Sequence, residues 1–307
     1  MEPTIRKPYV PELCVIDGNA LAFSSLFSHD MLSARVKGKI IYTGMPFGFI
    51  KKMMAVKKQF KPRHFEVVWD GGNHRKKEIY PQYKMGRKIY TKNISFDDII
   101  TSLVSCRKLL KHLGIPQYRI HGEEGDDVLA SLAELHAHEK VLILSNDHDM
   151  FQLLQNTNFK FLKFKSKDAK IFTKSSFEKT HHGMEPKYYS HFLAIVGDKT
   201  DKIPGVKGIG EVKAYEILTQ LKIPTVKNLY EQLDTLTMKP KVKEMLVKGR
   251  EDAFMFLKLT KLRKDLELTP LYQPILNRQK LFRYMDSLKF RSILDDQSEL
   301  EVLESLS

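Results

Sequence analysis

Residues 13–17 read LCVID, followed at once by Gly18. A short apolar run with β-branched content, stopped by an acid and a glycine, reads as a buried strand. FEVVWD (65–70) has the same shape and ends at Asp70, and VLILSND (141–147) repeats it and ends at Asp147. Helical patterns lie between and after them: PFGFIKKMMAVKKQF (46–60), SFDDIITSLVSCRKLLKHLG (95–114) with a capping pattern from Ser95 to Asp98, and DDVLASLAELHAH (126–138). Strands alternating with helices predict an α/β fold, a twisted and mostly parallel sheet flanked by helices. In such sheets the functional crevice lies beyond the carboxyl ends of the strands. Asp17, Asp70 and Asp147 are therefore expected to meet at one edge. Any one of them alone reads as a turn residue or helix cap; three at corresponding positions do not.

GEEGDDV (122–128) adds Glu123, Glu124, Asp126 and Asp127 at the start of a helix. One or two acids there suit the positive end of the helix dipole. Four repel one another, so some protonate unless a cation neutralises them. SNDHDMFQLL contributes Asp147 and Asp149 on one turn, and VGDKTDKIPG contributes Asp198 and Asp201, which share a face if that stretch is helical. Asp17, Asp70, Glu124, Asp126, Asp127, Asp147, Asp149, Asp198 and Asp201 form an oxygen-only donor set. Such a set suits magnesium or manganese rather than zinc. Two hard cations about 4 Å apart would activate a water, steady a leaving oxygen and neutralise a phosphodiester. His148, between two of the acids, is given no role.

The chain has 307 residues and a net charge of +14, with 51 Lys and Arg against 37 Asp and Glu. That excess favours a polyanionic partner, nucleic acid above all. Cys14 and Cys106 are far apart and in no metal spacing, so reduced thiols are expected. No apolar signal core and no membrane-length apolar run is visible, which predicts a soluble cytoplasmic protein.

The stretch GGNHRKKEIYPQYKMGRKIYTKN (71–93) holds seven Lys or Arg between 71 and 92 against one acid, Glu78, with Tyr80, Tyr83 and Tyr90 interleaved. Cations for phosphates and rings for bases suit single-stranded nucleic acid. After about residue 184 the pattern is nearly all helical, through 204–221, 239–263 and 279–306. The expected organisation is a core over 1–184, including a basic loop at 71–95, and a helical subdomain over 185–307. GVKGIG (205–210) between two helices lets backbone approach a phosphate chain, with N–H groups of the next helix as donors. Lys207 and Lys213 flank it.

Taken in order, VIDGNAL, VVWD, YKMGR, GEEGDDVLASLAE, SNDHDMFQLL and VGDKTDKIPGVKGIGE resemble the 5′ nuclease family: the 5′ nuclease domains of bacterial DNA polymerase I and free-standing phage flap endonucleases. LTKLRKDLEL and SLKFRSIL add to the likeness, which runs from about residue 13 to 295. No polymerase domain follows, so the free-standing form is the nearer likeness. The resemblance implies the compact metal-nuclease core of that family, with a helical arch at 71–95 and a helix–hairpin–helix at 204–221. It implies that Asp17, Asp70, Glu124, Asp126 and Asp127 hold a first Mg2+ or Mn2+, and that Asp147, Asp149, Asp198 and Asp201 surround a second. It implies that Lys84 and Arg87 contact the scissile phosphate and that Tyr83 stacks on a base. Gly205, Gly208 and Gly210 would form the hairpin turn, which often holds K+ in the family. The family's phosphate-binding arch arginine falls at Lys76, with Arg75 adjacent, and lysine does not reproduce bidentate arginine contacts. The family's asparagine after the last metal aspartate is Lys202 here, and Val212 and Lys213 stand where lysine then threonine is common.

The function implied is a metal-dependent, structure-specific 5′ nuclease with 5′–3′ exonuclease and flap endonuclease activity. It would remove flaps or RNA primers in replication, acting as a monomer on branched or 5′-ended DNA and RNA/DNA junctions, alongside replication proteins, in a bacterial or phage-infected cytoplasm. Two alternatives stand beside it. One is a non-catalytic branched-DNA-binding relative; the other is an RNA-processing metal nuclease.

Overall fold

The computed structural model describes residues 9–26, 32–36, 38–86, 94–164 and 169–307. Its strands are β1 (Leu13–Asp17), β2 (Ser33–Val36), β3 (Lys39–Tyr42), β4 (His64–Val68), β5 (Gln117–Tyr118), β6 (Val141–Ser145), β7 (Phe159–Phe164) and β8 (Ala169–Phe172). One six-stranded sheet runs β5-β4-β1-β6-β7-β8, and β2 and β3 form a separate hairpin. The sheet is parallel from β5 through β7, and β8 returns antiparallel beside β7. A mostly parallel sheet needs cover on both faces, which explains why its central strands read as unbroken apolar runs. Successive β1 residues point to opposite faces. Leu13 and Val15 join one hydrophobic cluster, and Cys14 and Ile16 join the other.

The helices of the first half are α1 (Gly18–Leu26), α2 (Gly44–Phe60), α3 (His74–Ile79), α4 (Phe96–Leu113), α5 (Gly125–Leu135) and α6 (Lys174–Thr180). The cap expected at Ser95 is present: its hydroxyl accepts from the Asp98 N–H, and Gly114 ends α4 in the left-handed region. The helices of the second half are α7 (Tyr189–Val196), α8 (Glu211–Leu218), α9 (Val226–Glu231), α10 (Pro240–Lys248), α11 (Arg250–Thr260), α12 (Arg278–Ser287), α13 (Arg291–Leu294) and α14 (Gln297–Glu304).

Two local readings change. The stretch 204–221 is helical only from Glu211, because Pro204 and the glycines spend the first seven residues on a turn. The stretch 239–263 divides at Gly249 into α10 and α11. The second half packs its apolar residues into both clusters. Phe192, Ile217, Leu229 and Phe256 join the cluster of Leu13 and Val15, whereas Leu281, Met285, Ile293 and Leu303 join that of Cys14 and Ile16. Between them, residues 261–277 contain no helix or strand, and Leu271 N–H donates to the Gln117 carbonyl at 2.7 Å at the β5 edge. Cys14 and Cys106 are free and buried. Among the described residues no helix is long and apolar enough to cross a membrane.

Candidate active site at the carboxyl edge of the sheet

β1, β4 and β6 are adjacent and parallel, so their carboxyl ends lie side by side. Asp17 is the last residue of β1, and Asp70 and Asp147 lie two residues beyond β4 and β6. The backbone fixes each one. Asp17 accepts from the Ala20 N–H at 2.9 Å and from the Ser145 hydroxyl at 2.9 Å. The same hydroxyl accepts from the Asp147 N–H at 3.1 Å, and Asp147 in turn accepts from the Asp149 N–H at 2.8 Å. Asp70 N–H donates to the Asn19 side chain at 3.0 Å, while the Asp70 carboxylate accepts from Gly72 N–H at 2.7 Å. Asp198 and Asp201 sit on the turn before the hairpin, not on a helix. Asp198 exchanges backbone hydrogen bonds with Ile203, and its carboxylate accepts from the N–H groups of Thr200 and Asp201.

The acids fall into two groups by electrostatics. Among the described residues Asp17, Asp70, Asp126, Asp147, Asp149 and Asp198 form no ion pair. Burial pushes the Asp17 carboxyl up to about 6, and the neighbouring Asp147 and Asp70 push the same way. Burial, then Asp147 and Asp17, raises Asp126 well above the usual carboxylate range. Burial, then Asp147, raises Asp149 similarly, with Asp201 and Asp198 adding to it. Asp70 is raised by burial and by Glu124. These are negative groups forced together without an ion pair; Lys84, Arg119 and Lys76 nearby offset only part of the repulsion.

Glu124, Asp127 and Asp201 are instead ion-paired. The Lys76 ammonium is 2.5 Å from Glu124 and 3.6 Å from Asp127, and the Lys84 ammonium is 2.7 Å from Glu124 and 3.4 Å from Asp201. Burial alone would raise Glu124, but the two lysines outweigh it and hold the carboxyl at about 2. Arg75 reaches Asp127 at 3.1 Å and Glu123 at 3.4 Å, and Arg263 reaches Glu123 at 2.8 Å. Lys84 itself has φ 51, unusual for a residue with a side chain. Its N–H is held at 3.0 Å by the Asp201 carbonyl.

As the side chains stand, no three His, Cys, Asp or Glu among the described residues are gathered to hold a metal ion. The edge carboxylates accept instead from backbone N–H groups and Ser145, and Glu124 and Asp201 lean toward lysine.

Residues 12–182 match the 5′-3′ exonuclease N-terminal resolvase-like domain, and residues 184–280 match the 5′-3′ exonuclease C-terminal SAM fold. The chain belongs to the 5′–3′ exonuclease family. It is 30% identical over 298 residues to a 5′-3′ exonuclease of Aquifex aeolicus, covering 94% of this chain and 96% of that one. It is 28% identical over 303 residues to DNA polymerase I of Caldicellulosiruptor bescii, covering 95% of this chain but 34% of that one. The chain thus spans about a third of the polymerase I relatives it matches. Among solved structures it resembles the bacteriophage T5 flap endonuclease in a pseudo-enzyme-product complex with DNA and metal ions. That likeness has a TM-score of 0.66 and 22% identity, with 95% of this chain and 99% of that one covered.

Within this 5′–3′ exonuclease fold, three of the expected site residues are engaged with other side chains in this structure. Asp127, expected among the metal holders, is ion-paired in this structure. It adjoins Asp126 on α5, and successive helical residues point about 100° apart. Its two oxygens are taken by Arg75, Lys76 and the Arg263 N–H. Lys76 is 2% exposed and serves the carboxylates, so it offers nothing to a phosphate in this structure; Arg75 is the more open of the pair. Tyr83 is fully buried and has no face for a base. Its hydroxyl lies 2.9 Å from Glu124 and 2.8 Å from Asp201, and its single proton serves one of them at a time. Arg87 and Tyr90 lie outside the described residues.

Removing that hydroxyl leaves buried acceptors short of a donor, a cost of about 1–3 kcal/mol. Tyr83→Phe is therefore expected to lower the melting temperature without a selective loss of single-strand affinity. Melting curves and anisotropy titrations on the same preparation check both halves.

At the hairpin, Gly205 has φ 67, and a Cβ there would meet Val196 and Gly197 backbone at 2.4–2.5 Å. Gly210 instead opens on free space at the start of α8. Lys207 is exposed beside it. Lys213 donates to the Gly208 carbonyl at 2.8 Å, so its ammonium already serves one hairpin carbonyl. Residues that the sequence reading passed over include Asn19, Ser145 and Arg263. All three lie inside quoted motifs, Asn19 in VIDGNAL, Ser145 in SNDHDMFQLL and Arg263 in LTKLRKDLEL, but none was assigned a role.

Proposed function

We propose that this 5′–3′ exonuclease-family nuclease hydrolyses phosphodiesters at junctions of single- and double-stranded DNA, as a 5′–3′ exonuclease and flap endonuclease dependent on divalent metal. The observation that carries the reading is the row of unpaired, mutually repelling carboxylates at the ends of β1, β4 and β6. Burial and crowding raise Asp17, Asp126 and Asp149, and bound cations relieve that repulsion. Their all-oxygen chemistry fits two Mg2+ or Mn2+ ions, with Asp17, Asp70, Asp126, Asp147 and Asp149 as the proposed holders and Glu124, Asp198 and Asp201 beside them. When bound, such ions supply a nucleophilic water and charge neutralisation at the phosphate. Lys84 is poised between Glu124 and Asp201, and turning its ammonium toward an incoming phosphate would exchange one anion for another. Arg87 is proposed as its companion. The hairpin around Gly205, Gly208 and Gly210 would grip duplex backbone, with Lys207 at its rim. A K+ ion at the hairpin carbonyls would share them with Lys213. The setting proposed is the cytoplasm, and the task is removal of flaps or RNA primers.

The test is cleavage of a 5′-labelled flap substrate in Mg2+, with and without chelator, resolved to the nucleotide. No metal-dependent product above an Asp147→Ala control would defeat the reading. Lys207→Ala should weaken substrate binding and reduce the slope of log K against log salt by about 0.9, one phosphate's worth. An unaltered slope in anisotropy titrations would remove Lys207 from the interface.

A further inference from the structure

A second basic site lies along the last turns of α4, outside the acids, the arch and the hairpin. The last two turns of α4 and the segment 272–280 enclose a cleft of about 540 Å³. Arg107, Lys108, Lys111, His112 and Lys280 line it, with Tyr272, and no Asp or Glu does. Many lysines elsewhere on this protein are paired: Lys51 and Lys58 with Glu299, Lys243 with Asp234, Lys264 with Glu134. Among the described residues Arg107, Lys108, Lys111 and Lys280 have no acidic partner, and the buried Arg107 Nε has no hydrogen-bond acceptor. These cations lie over rings instead: Arg107 over Trp69 at 4.9 Å, Lys111 over Tyr272 at 4.2 Å, Lys108 over Tyr284 at 4.0 Å. Burial lowers His112, and Lys108, Lys280 and Lys111 lower it further, as expected where positive charge lacks compensation.

The cleft is connected to the proposed active site. Trp69, beneath the Arg107 guanidinium, is the residue before Asp70. Arg119, exposed, donates its Nε to the Asp70 carbonyl at 2.9 Å and stands close enough to Arg107 for their charges to repel. A line of positive charge thus runs from Asp70 through Arg119 and Arg107 to Lys111, Lys108 and Lys280. Tyr272, 40% exposed, offers a ring beside it.

The geometry points to a nucleic-acid strand in this cleft: the phosphodiester backbone of a single-stranded segment leaving the carboxylate edge, with phosphates on Arg107, Lys108, Lys111 and Lys280 and a base against Tyr272. This rests on the nuclease reading for the source of the strand. A single strand is favoured over duplex because an exposed ring can stack only on an unpaired base, and stacking combined with cations is how unspecific single-strand grooves bind.

The experiment is fluorescence anisotropy of the full chain in chelator. The probes are a labelled flap substrate with a long single-stranded arm, the same substrate with the arm shortened to a few nucleotides, and labelled oligo-dT. The variants are K108A/K111A/K280A, all at exposed positions, and Tyr272→Ala, with melting temperature as the check on folding. The triple variant should lower the salt slope for the long-armed substrate and oligo-dT by about 2, at roughly 0.7 per single-strand phosphate. The short-armed substrate should change much less. Tyr272→Ala should weaken oligo-dT binding several-fold with the slope kept. Equal slopes and affinities for parent and triple variant would overturn the assignment. So would thymidine 5′-monophosphate displacing oligo-dT from the parent at equal phosphate concentration, since that places a free nucleotide in the cleft. Failure of the nuclease reading looks different: no metal-dependent product from the parent chain, whatever the anisotropy.

Discussion

Asp17→Asn is expected to lower flap cleavage by about a thousandfold or more while making the metal-free protein more stable at pH 8. The two effects have opposite sign because the catalytic role proposed for the carboxylate comes at the expense of the fold. Asp17 lies among Asp147, Asp70 and Asp126 without a cation, and its carboxyl is pushed up to about 6. In the unfolded chain the same group titrates near its ordinary value, so the folded state binds the proton more tightly. A raised folded-state pKa means that the favourable contribution is complete below about pH 4 and is lost as pH rises through about 6. The shift of roughly two units corresponds to about 3 kcal/mol by pH 8. An amide removes the ionisation, keeps an oxygen for the Ala20 N–H and leaves Ser145 free to turn its hydroxyl. The loss of activity follows from the role proposed for Asp17, as a ligand to cations that would each contribute several kcal/mol to stabilising the transition state. Urea denaturation in chelator at pH 5 and pH 8, beside flap cleavage in Mg2+, measures both. A variant that is less stable than the parent at pH 8, or that still cleaves at the parent rate, contradicts the account.

That trade between stability and chemistry was partly written in the chain. Three apolar runs ending in acid announced three parallel strands because a strand buried on both faces has no polar register to show, and its end must meet water. Asp17, Asp70 and Asp147 accordingly arrive together. What stayed hidden depended on partners distant in sequence. Tyr83 among lysines and arginines reads as a stacking ring, yet the carboxylates that bury it come from 41 and 118 residues away. Lys76 reads as a phosphate ligand for the same reason, and only the fold reveals that it lies under Glu124 and Asp127. Asp126 and Asp127 look equivalent on paper, but a helix turns one to the edge and the other to Arg75. The packing of α12–α14 against the face opposite α7–α11 is likewise invisible, since an amphipathic stripe does not say which surface it will meet. The cleft of Arg107, Lys108 and Lys111 was hidden differently: those residues looked like the polar end of an ordinary helix until residues 272–280 closed over them.

The largest stability loss is expected at Glu124, the carboxylate with the opposite character. It is 3% exposed, carries Lys76 and Lys84, and shares the Tyr83 hydroxyl with Asp201. Lys84 can swing toward solvent if Glu124 is lost, but Lys76, 2% exposed, cannot easily do so. Glu124→Ala should then leave a buried ammonium with Asp127 at 3.6 Å as its nearest acid and Asp149 beyond, and breaking one side of such a buried pair costs about 3–5 kcal/mol. The pH signature reverses that of Asp17. With its folded pKa depressed to about 2, Glu124 contributes fully above about pH 4.5 and loses that contribution as pH falls through 2. Glu124→Ala should therefore flatten the acid limb of the parent's stability profile as well as lower its plateau. Lys76→Met in the same chain distinguishes a stranded charge from a simple cavity. If the uncompensated ammonium is the cause, the double variant should recover a large part of the loss, giving a coupling of 1 kcal/mol or more between two residues in contact. If the two losses simply add, the cost lies in lost packing, and Lys76 is not the cation that Glu124 exists to hold.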